Sequence, residues 1–330
     1  MTWTSAVWGT AEFREELRAF VVDAVGTPDV FEPLKVRPWS TVWRVLAGGS
    51  TYFAKQNCPG QAHEAELMEA LARIAPGQVV PVVAADPARD LLLTAHAGPT
   101  LREVGAADEP DQWCRIVSEA AHLQRELATH VAELPLTVLA PGDATCYVAN
   151  AVGRLAALPA DDPRRLDADT ALALEAHLPT VEGWSERVAE LDLPITLNHN
   201  DLHDNNVVAP AGGAPLRFFD FGDAVLEEPL GALLIPLNLC ARLWEAGPGD
   251  ARLWRVADAA LEVWSDRADR RLLRAALPAA LQLARLAKVE SWRRCVATMT
   301  RPEQAEWGDA PAGWLATLLE EPPVGARPRM

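Results

Sequence analysis

The chain has 330 residues, of which 49% are hydrophobic and 23% charged, and its formal net charge is −16. This is a globular composition with enough residues for two lobes, and the acidic balance argues against nucleic acid as a main partner. We expect neither a membrane span nor a signal peptide, because the chain lacks a long apolar run and a basic N-terminal segment followed by a hydrophobic one. The five scattered cysteines favour reduced thiols and a cytoplasmic location.

The first part of the chain predicts a small lobe built on a sheet. Residues 11–25 place apolar side chains on one helical face, with Thr10 as N-cap and Gly26 just past the end. Strands are predicted at residues 35–39, 42–46, 51–56, 78–84 and 91–94. A helix beginning near His63 separates the third strand from the fourth, so one main helix is expected to accompany this sheet.

The rest of the chain has mainly helical periodicity. Helices are predicted at residues 111–128, 164–178, 182–191, 230–243, 251–264, 271–298 and 311–319. Residues 138–163 are expected to be irregular, since they contain Pro141-Gly142 and Asp161-Asp162-Pro163. Pro278 is expected to bend or interrupt the helix that contains it. The second part therefore predicts a helical lobe.

Lysine is scarce in this chain, which has three lysines (residues 35, 55 and 288) beside 27 arginines. Lys55 falls in the third predicted strand, and Glu64 lies near the start of the helix that follows. A lysine that binds phosphates needs a carboxylate to hold it in place. Taken separately, Lys55 is better explained as an edge-strand lysine and Glu64 as part of a solvated helix face. A motif further along the chain favours a functional role for the pair.

That motif lies between Asn198 and Asp223. His199-Asn200-Asp201 is followed by Asn206, five residues after Asp201, and then by Asp220-Phe221-Gly222. In kinase chemistry one Asp orients the acceptor hydroxyl, an Asn five residues later holds a metal ion, and a second Asp before Phe-Gly binds the metal at the phosphates. A β-prone run at 195–197, a Pro-Ala-Gly-Gly turn at 210–213 and a returning strand at 216–219 place these groups on a loop and a hairpin.

The motif resembles that of the aminoglycoside phosphotransferase family, whose catalytic loop runs His-x-Asp-Leu-His-x-x-Asn and whose metal motif is Asp-Phe-Gly-Asp. Residues 199–206 and 220–223 fit both patterns. The resemblance implies a two-lobed, protein-kinase-like α/β fold that binds ATP and Mg²⁺ between its lobes. Residues 1–94 would form the nucleotide-binding lobe with its leading helix, 95–101 the hinge, and 102–330 the catalytic and substrate-binding helical lobe.

The resemblance also implies a role for each central residue. Asp201 would orient the acceptor hydroxyl and accept its proton, while Asn206 and Asp220 would hold Mg²⁺. Lys55 would bind the ATP phosphates, and Glu64 would orient Lys55. Of the remaining residues, Glu66 is a second choice for the lysine partner, His199 is expected to brace the loop, and Asp223 is expected to support the catalytic segment.

Four further residues are candidates for nucleotide binding. The turn at 38–41 would cover the phosphates; it lacks the G-x-G-x-x-G pattern of protein kinases, but Ser40 and Thr41 can offer amide and hydroxyl donors. Thr94 and His96 fall where the hinge is expected. Backbone groups bind the adenine edge in this fold, so His96 is equally well explained as an ordinary hinge residue.

The expected acceptor is a hydroxyl of a small molecule. An aminoglycoside-like or other antibiotic would suit the acidic charge, and an amino sugar, amino alcohol or nucleoside-like metabolite fits the same scaffold. Acidic residues in the inserted helical region are candidates for contacts with a cationic acceptor: Asp161, Asp162, Asp167, Asp169 and Glu175. Three tryptophans are candidates for lining the cleft: Trp39, Trp292 and Trp307. The acids are equally well explained as part of a solvated helix face. The tryptophans are more often core residues than ligand-stacking ones.

Three alternatives remain from the residues alone. His199, Asp201 and His203 alternate like the metal ligands of a hydrolase, although a hydrolase leaves Asn206 and the Asp-Phe-Gly segment unexplained. The segment can also be a polar loop rich in turn-forming residues. A nucleotide-binding regulator that phosphorylates nothing is the third alternative, and the intact Asp201 argues against it.

Overall fold

The structure, a computed structural model, describes residues 3–105, 109–209 and 214–325. A five-stranded antiparallel sheet with one main helix precedes a largely helical region, which confirms the predicted mixed α/β class. Among the described residues no helix combines the length and apolar character needed to cross a bilayer. The turn predicted at 210–213 lies outside the described residues.

The N-terminal lobe begins as its sequence predicts. Helix α1 (Ala11–Val25) starts at Thr10, whose hydroxyl accepts a hydrogen bond from the Phe13 amide at 3.2 Å, and it ends at Gly26 with φ of 80°. The remaining elements are β1 (Val30–Arg37), β2 (Ser40–Ala47), β3 (Ser50–Asn57), α2 (Glu64–Ile74), β4 (Val82–Asp86) and β5 (Leu91–Ala95). The strand order is β1-β2-β3-β5-β4, so the lysine-bearing β3 is central.

The first strand begins at Val30, five residues earlier than predicted, and two further boundary differences bear on the site. Pairing of Arg37 with Ser40 makes the first hairpin tight, so Ser40 and Thr41 belong to β2 and not to a phosphate-covering turn. Strand β4 starts at Val82 and not at residue 78, because Val80 donates its amide hydrogen to the Phe218 carbonyl in the helical lobe. Local periodicity shows that a segment is extended, but it does not show with which partner it pairs.

The helical lobe differs from the prediction in three helices, of which the one at Arg301–Trp307 was not predicted. The elements are α3 (Pro110–Leu127), α4 (Ala144–Ala156), α5 (Ala168–Ala189), β6 (Thr196–Asn198), β7 (Val207–Val208), β8 (Arg217–Phe218), β9 (Val225–Glu227), α6 (Leu234–Leu243), α7 (Ala251–Val263), α8 (Arg270–Val296), α9 (Arg301–Trp307) and α10 (Ala310–Ala316). Helix α4 lies inside the segment predicted to be irregular, and α5 replaces two predicted helices. Pro179 lies within α5 and Pro278 within α8; packing of the flanking turns compensates for the one backbone hydrogen bond that each proline removes.

The core of the sheet extends into the end of α8. Buried Trp43, Val45 and Leu93 belong to one hydrophobic cluster with Cys295 and Val296. Loop and helix also approach closely, since a side chain at Gly60 would collide with the Arg294 carbonyl. The last turns of α8 are therefore fixed beneath the sheet, where they form part of the wall of the cleft between the two regions.

Candidate active site

A cleft of about 720 Å³ opens between the sheet and the helical lobe. Seven of the predicted site residues line it: Lys55, Glu64, Thr94, His96, Asp201, Asn206 and Asp220. Ser40 and Thr41 do not line it. Both are buried, and the Thr41 hydroxyl accepts a hydrogen bond from the Trp43 indole at 3.1 Å within the sheet. Their assignment to phosphate binding is wrong, because the hairpin is shorter than predicted.

The loop after β6 presents Asp201 to the cleft. Asn200 has φ of 58°, a left-handed conformation that asparagine tolerates better than most residues. The Asn206 side-chain amide donates to the Asp201 carbonyl at 3.0 Å, which ties the two ends of the loop together. The Asp201 side chain is 35% exposed, and the His203 ring lies 3.5 Å from its carboxylate. The loop therefore holds a carboxylate that a bound hydroxyl can reach.

Lys55 joins the two halves of the cleft. Its ammonium lies 2.5 Å from Glu64 Oε2 and 2.5 Å from Asp220 Oδ1. Burial alone would lower the pKa of Lys55, but these two carboxylates outweigh burial and hold the pKa above its usual range. Glu64 is 1% exposed, and its second oxygen accepts the Phe221 amide hydrogen at 2.9 Å. A single buried carboxylate thus positions both the lysine and the Asp-Phe-Gly backbone.

Asn206 and Asp220 can supply oxygen ligands to a metal ion. The Asn206 amide nitrogen is engaged with the loop carbonyl, which leaves its side-chain oxygen available. Asp220 has φ of 64° and directs its carboxylate into the open cleft. Burial would raise the pKa of Asp220, but the Lys55 ammonium outweighs burial and holds the pKa below its usual value. The group is therefore a carboxylate. Two hard oxygen donors beside the Lys55 ammonium fit Mg²⁺, which usually takes one or two protein ligands plus substrate phosphates.

His199 braces the loop, as expected, and its contacts do not fit a metal ligand. Its Nε2 donates to the Phe219 carbonyl at 2.9 Å, and its ring lies 4.4 Å from that of Phe221. Burial lowers the pKa of His199, so the ring is neutral at physiological pH. Within the described residues no group of three or more His, Cys, Asp or Glu side chains is arranged to hold a metal. These contacts disfavour the hydrolase alternative.

The acidic residues proposed for acceptor recognition do not line the cleft. Asp162 forms an ion pair with Arg164 at 2.6 Å, and Asp167 caps α5 by accepting the Thr170 amide hydrogen at 2.8 Å. These carboxylates serve local structure, which is the common use of acidic residues at helix starts.

The three candidate tryptophans form one cluster. The Trp39 ring lies 5.4 Å from the Trp292 ring and 5.2 Å from the Trp307 ring. Trp39 and Trp292 line the cleft, whereas Trp307 packs behind them. The cluster attaches the first hairpin to α8 and α9, so one side of the cleft has an aromatic wall.

One residue of the site was missed by the sequence analysis. Lys288 from α8 lines the cleft beside Asp201 and Asp223, and it is 5% exposed. The scarcity of lysine was the only signal that could have singled it out. Its position in a long helix, about sixty residues after the Asp-Phe-Gly segment, gave no indication of contact with the catalytic loop.

Comparison with known proteins yields one family match and many similar structures. The model of the phosphotransferase enzyme family (APH) matches residues 36–230, which is more than half of the chain. No curated protein sequence matches.

Three of the similar structures show the kinds of kinase that this chain resembles in fold. An ethanolamine kinase from Plasmodium vivax has a TM-score of 0.64 at 12% identity, covering 93% of this chain and 87% of that one. A choline/ethanolamine kinase family protein from Mesorhizobium loti has a TM-score of 0.61 at 17% identity, with coverage of 94% and 95%. A thermostable mutant of aminoglycoside phosphotransferase APH(4)-Ia, in a ternary complex with ADP and hygromycin B, has a TM-score of 0.52 at 16% identity, with coverage of 92% and 98%. At these identities the likeness establishes the fold.

Proposed function

We propose a reaction for this chain on the premise that it belongs to the phosphotransferase enzyme family and is a small-molecule kinase with a hydroxyl acceptor. The proposed reaction transfers the γ-phosphoryl group of ATP, in the presence of Mg²⁺, to a hydroxyl of the acceptor. The observation that carries it is the convergence of Asp201, Asn206 and Asp220 on one cleft with Lys55, which Glu64 holds in place.

Each residue has a role that its position supports. Asp201 orients the acceptor hydroxyl toward the γ-phosphorus and takes up its proton as the new O–P bond forms, while the bond from the γ-phosphorus to the β,γ-bridging oxygen breaks and ADP leaves. Lys55 binds phosphate oxygens of the nucleotide, and Glu64 keeps the ammonium in place. Asn206 and Asp220 would hold Mg²⁺, which when bound neutralises phosphate charge. Because the reaction needs alignment and charge stabilisation rather than a covalent nucleophile, this set of groups is sufficient for it.

We propose an aminoglycoside-like or other antibiotic as the first acceptor class. The net charge of −16 favours encounter with a cation, and similar structures contain hygromycin B and spectinomycin. A small amino alcohol or other metabolite is the second class, supported by the similarity to ethanolamine and choline/ethanolamine kinases.

The test is ADP release from Mg²⁺-ATP over a panel of aminoglycosides, spectinomycin, amino sugars, ethanolamine, choline and nucleoside antibiotics. Asp201→Asn should lower kcat by about 10²- to 10⁴-fold while nucleotide binding persists, because general-base groups contribute that much. Asp169→Asn, on the exposed start of α5, serves as the matched control and should retain full activity. If an acceptor is turned over equally by the wild type and by Asp201→Asn, the assignment of Asp201 is wrong. If the panel gives no turnover while ATP still binds, the antibiotic acceptor class is disfavoured.

A further inference from the structure

We propose that Lys288 is a positioning residue for phosphoryl transfer and acts through Asp201. This inference rests on the proposed function, since it assigns a role within the same site. Lys288 lies on α8, outside both sequence motifs, and its ammonium faces the loop that carries Asp201. Its side chain is 7% exposed, so its charge is almost completely withdrawn from solvent.

The ammonium of Lys288 faces three oxygen atoms. It donates to the Asn200 carbonyl at 3.1 Å and to Asp223 Oδ2 at 3.0 Å, and it lies 3.6 Å from Asp201 Oδ1. An ammonium has three hydrogens to donate. Two of them therefore have protein acceptors, and the third side of the ammonium faces the Asp201 carboxylate at ion-pair distance. This arrangement distinguishes Lys288 from Lys55 and indicates that it orients the loop.

The Asn200 contact explains why orientation matters. Asn200 has the left-handed φ of 58° and directly precedes Asp201, so any relaxation of its backbone would rotate the Asp201 carboxylate. Three bonds oppose that relaxation: the Asn200 amide donates to Asn198 Oδ1 at 2.8 Å, its side chain donates to the Asp223 carbonyl at 3.1 Å, and its carbonyl accepts from Lys288. Lys288 is the only side chain of this clamp that also contacts the Asp201 carboxylate, among the described residues.

Asp223 keeps Lys288 in position. The second oxygen of Asp223 accepts hydrogen bonds from the Gln61 side chain at 2.6 Å and from the Ser291 hydroxyl. Gln61 belongs to the loop before α2, so the network connects the N-terminal lobe with α8. A compact ammonium fits between two carboxylates and a carbonyl, whereas the planar guanidinium used at 27 other positions is larger and has a fixed fork geometry. The contacts thus account for a lysine at this position in an arginine-rich chain.

The experiment is a double-mutant cycle with steady-state kinetics on the acceptor that the wild type turns over. Lys288→Met should lower kcat by about 10²-fold, the loss expected when a reacting group is displaced by about 1 Å. In an Asp201→Asn background the same substitution should cost less than about 3-fold, because Lys288 then has no general base to orient. ADP affinity should stay within about 2-fold of the wild type, since Lys55 and the hinge are unchanged. Lys288→Arg should restore little of the lost kcat.

Arg285→Met is the matched control on the same helix. Arg285 is 4% exposed and donates to the Glu321 carbonyl, away from the catalytic loop, so its loss should lower stability without lowering kcat. If Lys288→Met keeps wild-type kcat, or if its loss is equally large with Asp201→Asn, Lys288 is only structural and the inference falls while the kinase assignment stands. A wild type that transfers phosphate to no acceptor overturns the proposed function and this role with it.

Discussion

Glu64 offers the sharpest test of how the cleft is assembled. Its carboxylate makes three contacts that no other group replaces: with the Lys55 ammonium at 2.5 Å, the Asn57 side-chain amide at 2.8 Å and the Phe221 backbone amide at 2.9 Å. We expect Glu64→Ala to remove all three and to leave Lys55 facing only Asp220.

The expected loss of stability in Glu64→Ala follows from the burial of the Glu64 side chain. Glu64 is 1% exposed, so water cannot replace the lost partners without entering the core. Removing one member of a buried, hydrogen-bonded ion pair costs about 3–5 kcal/mol. Because Asp220 still contacts Lys55 in the variant, we expect the free energy of unfolding to fall by about 3 kcal/mol. The kcat/KM for ATP should fall by at least about 10²-fold, because Lys55, the proposed phosphate-binding residue, is no longer held in place.

Urea unfolding followed by tryptophan fluorescence gives the change in stability, and initial rates at varied ATP give kcat/KM. Glu66→Ala is the matched control: it lies two residues along the same helix with an exposed side chain, and its stability should change by no more than about 0.5 kcal/mol. The reasoning is refuted if the two variants behave alike. Glu64→Gln should be intermediate in stability, since it keeps one acceptor oxygen but loses the charge.

Two further predictions concern the metal and pH. Asp220→Asn should raise the Mg²⁺ concentration needed for half-maximal turnover by about 10-fold or more, because a neutral amide oxygen replaces a charged ligand; an unchanged Mg²⁺ titration would exclude Asp220 as a ligand. Burial and the neighbouring Glu228 raise the pKa of Glu227 to about 8 from an ordinary value near 4.5, so the folded state retains a proton that the unfolded chain releases between these values. The contribution of this retained proton to the free energy of unfolding is complete below pH 4.5 and is lost as pH rises toward 8. Between pH 5.5 and 7.5 the free energy of unfolding of the wild type should therefore fall by about 3 kcal/mol relative to that of Glu227→Gln. If the free energies of unfolding in urea of the two proteins change in parallel over this pH range, the raised pKa of Glu227 is contradicted.

Local sequence signals were enough to identify the loop proposed to carry the chemistry. Asp201, Asn206 and Asp220 are close to each other along the chain, on a loop and hairpin whose β-prone and turn-forming residues are local signals. The resemblance of these motifs to those of a known family implied the family and the fold class, and the structure brings those residues to one cleft together with the Lys55–Glu64 pair. The boundaries of α1 were likewise predictable, because Thr10 and Gly26 are local cap signals.

The sequence could not show where buried or distant contacts would form. Ser40 and Thr41 have the right chemistry for a phosphate loop, yet pairing between β1 and β2 places them inside the sheet. The acidic residues before and within α5 have the right charge for a cationic acceptor, yet those with resolved contacts act as caps and ion pairs. Residue type and spacing are encoded locally, whereas hydrogen-bond partners depend on the packing of the whole chain.

Lys288 shows this limit most clearly. It lies 87 residues beyond Asp201 and on a regular helix, so no period, cap or motif connects it with the loop. Only the packing of α8 beneath the sheet brings its ammonium to Asn200, Asp201 and Asp223. Local sequence identified the groups proposed to carry the chemistry, whereas the tertiary structure decided which groups hold them in place, because burying a charge is favourable only where the fold supplies its partners.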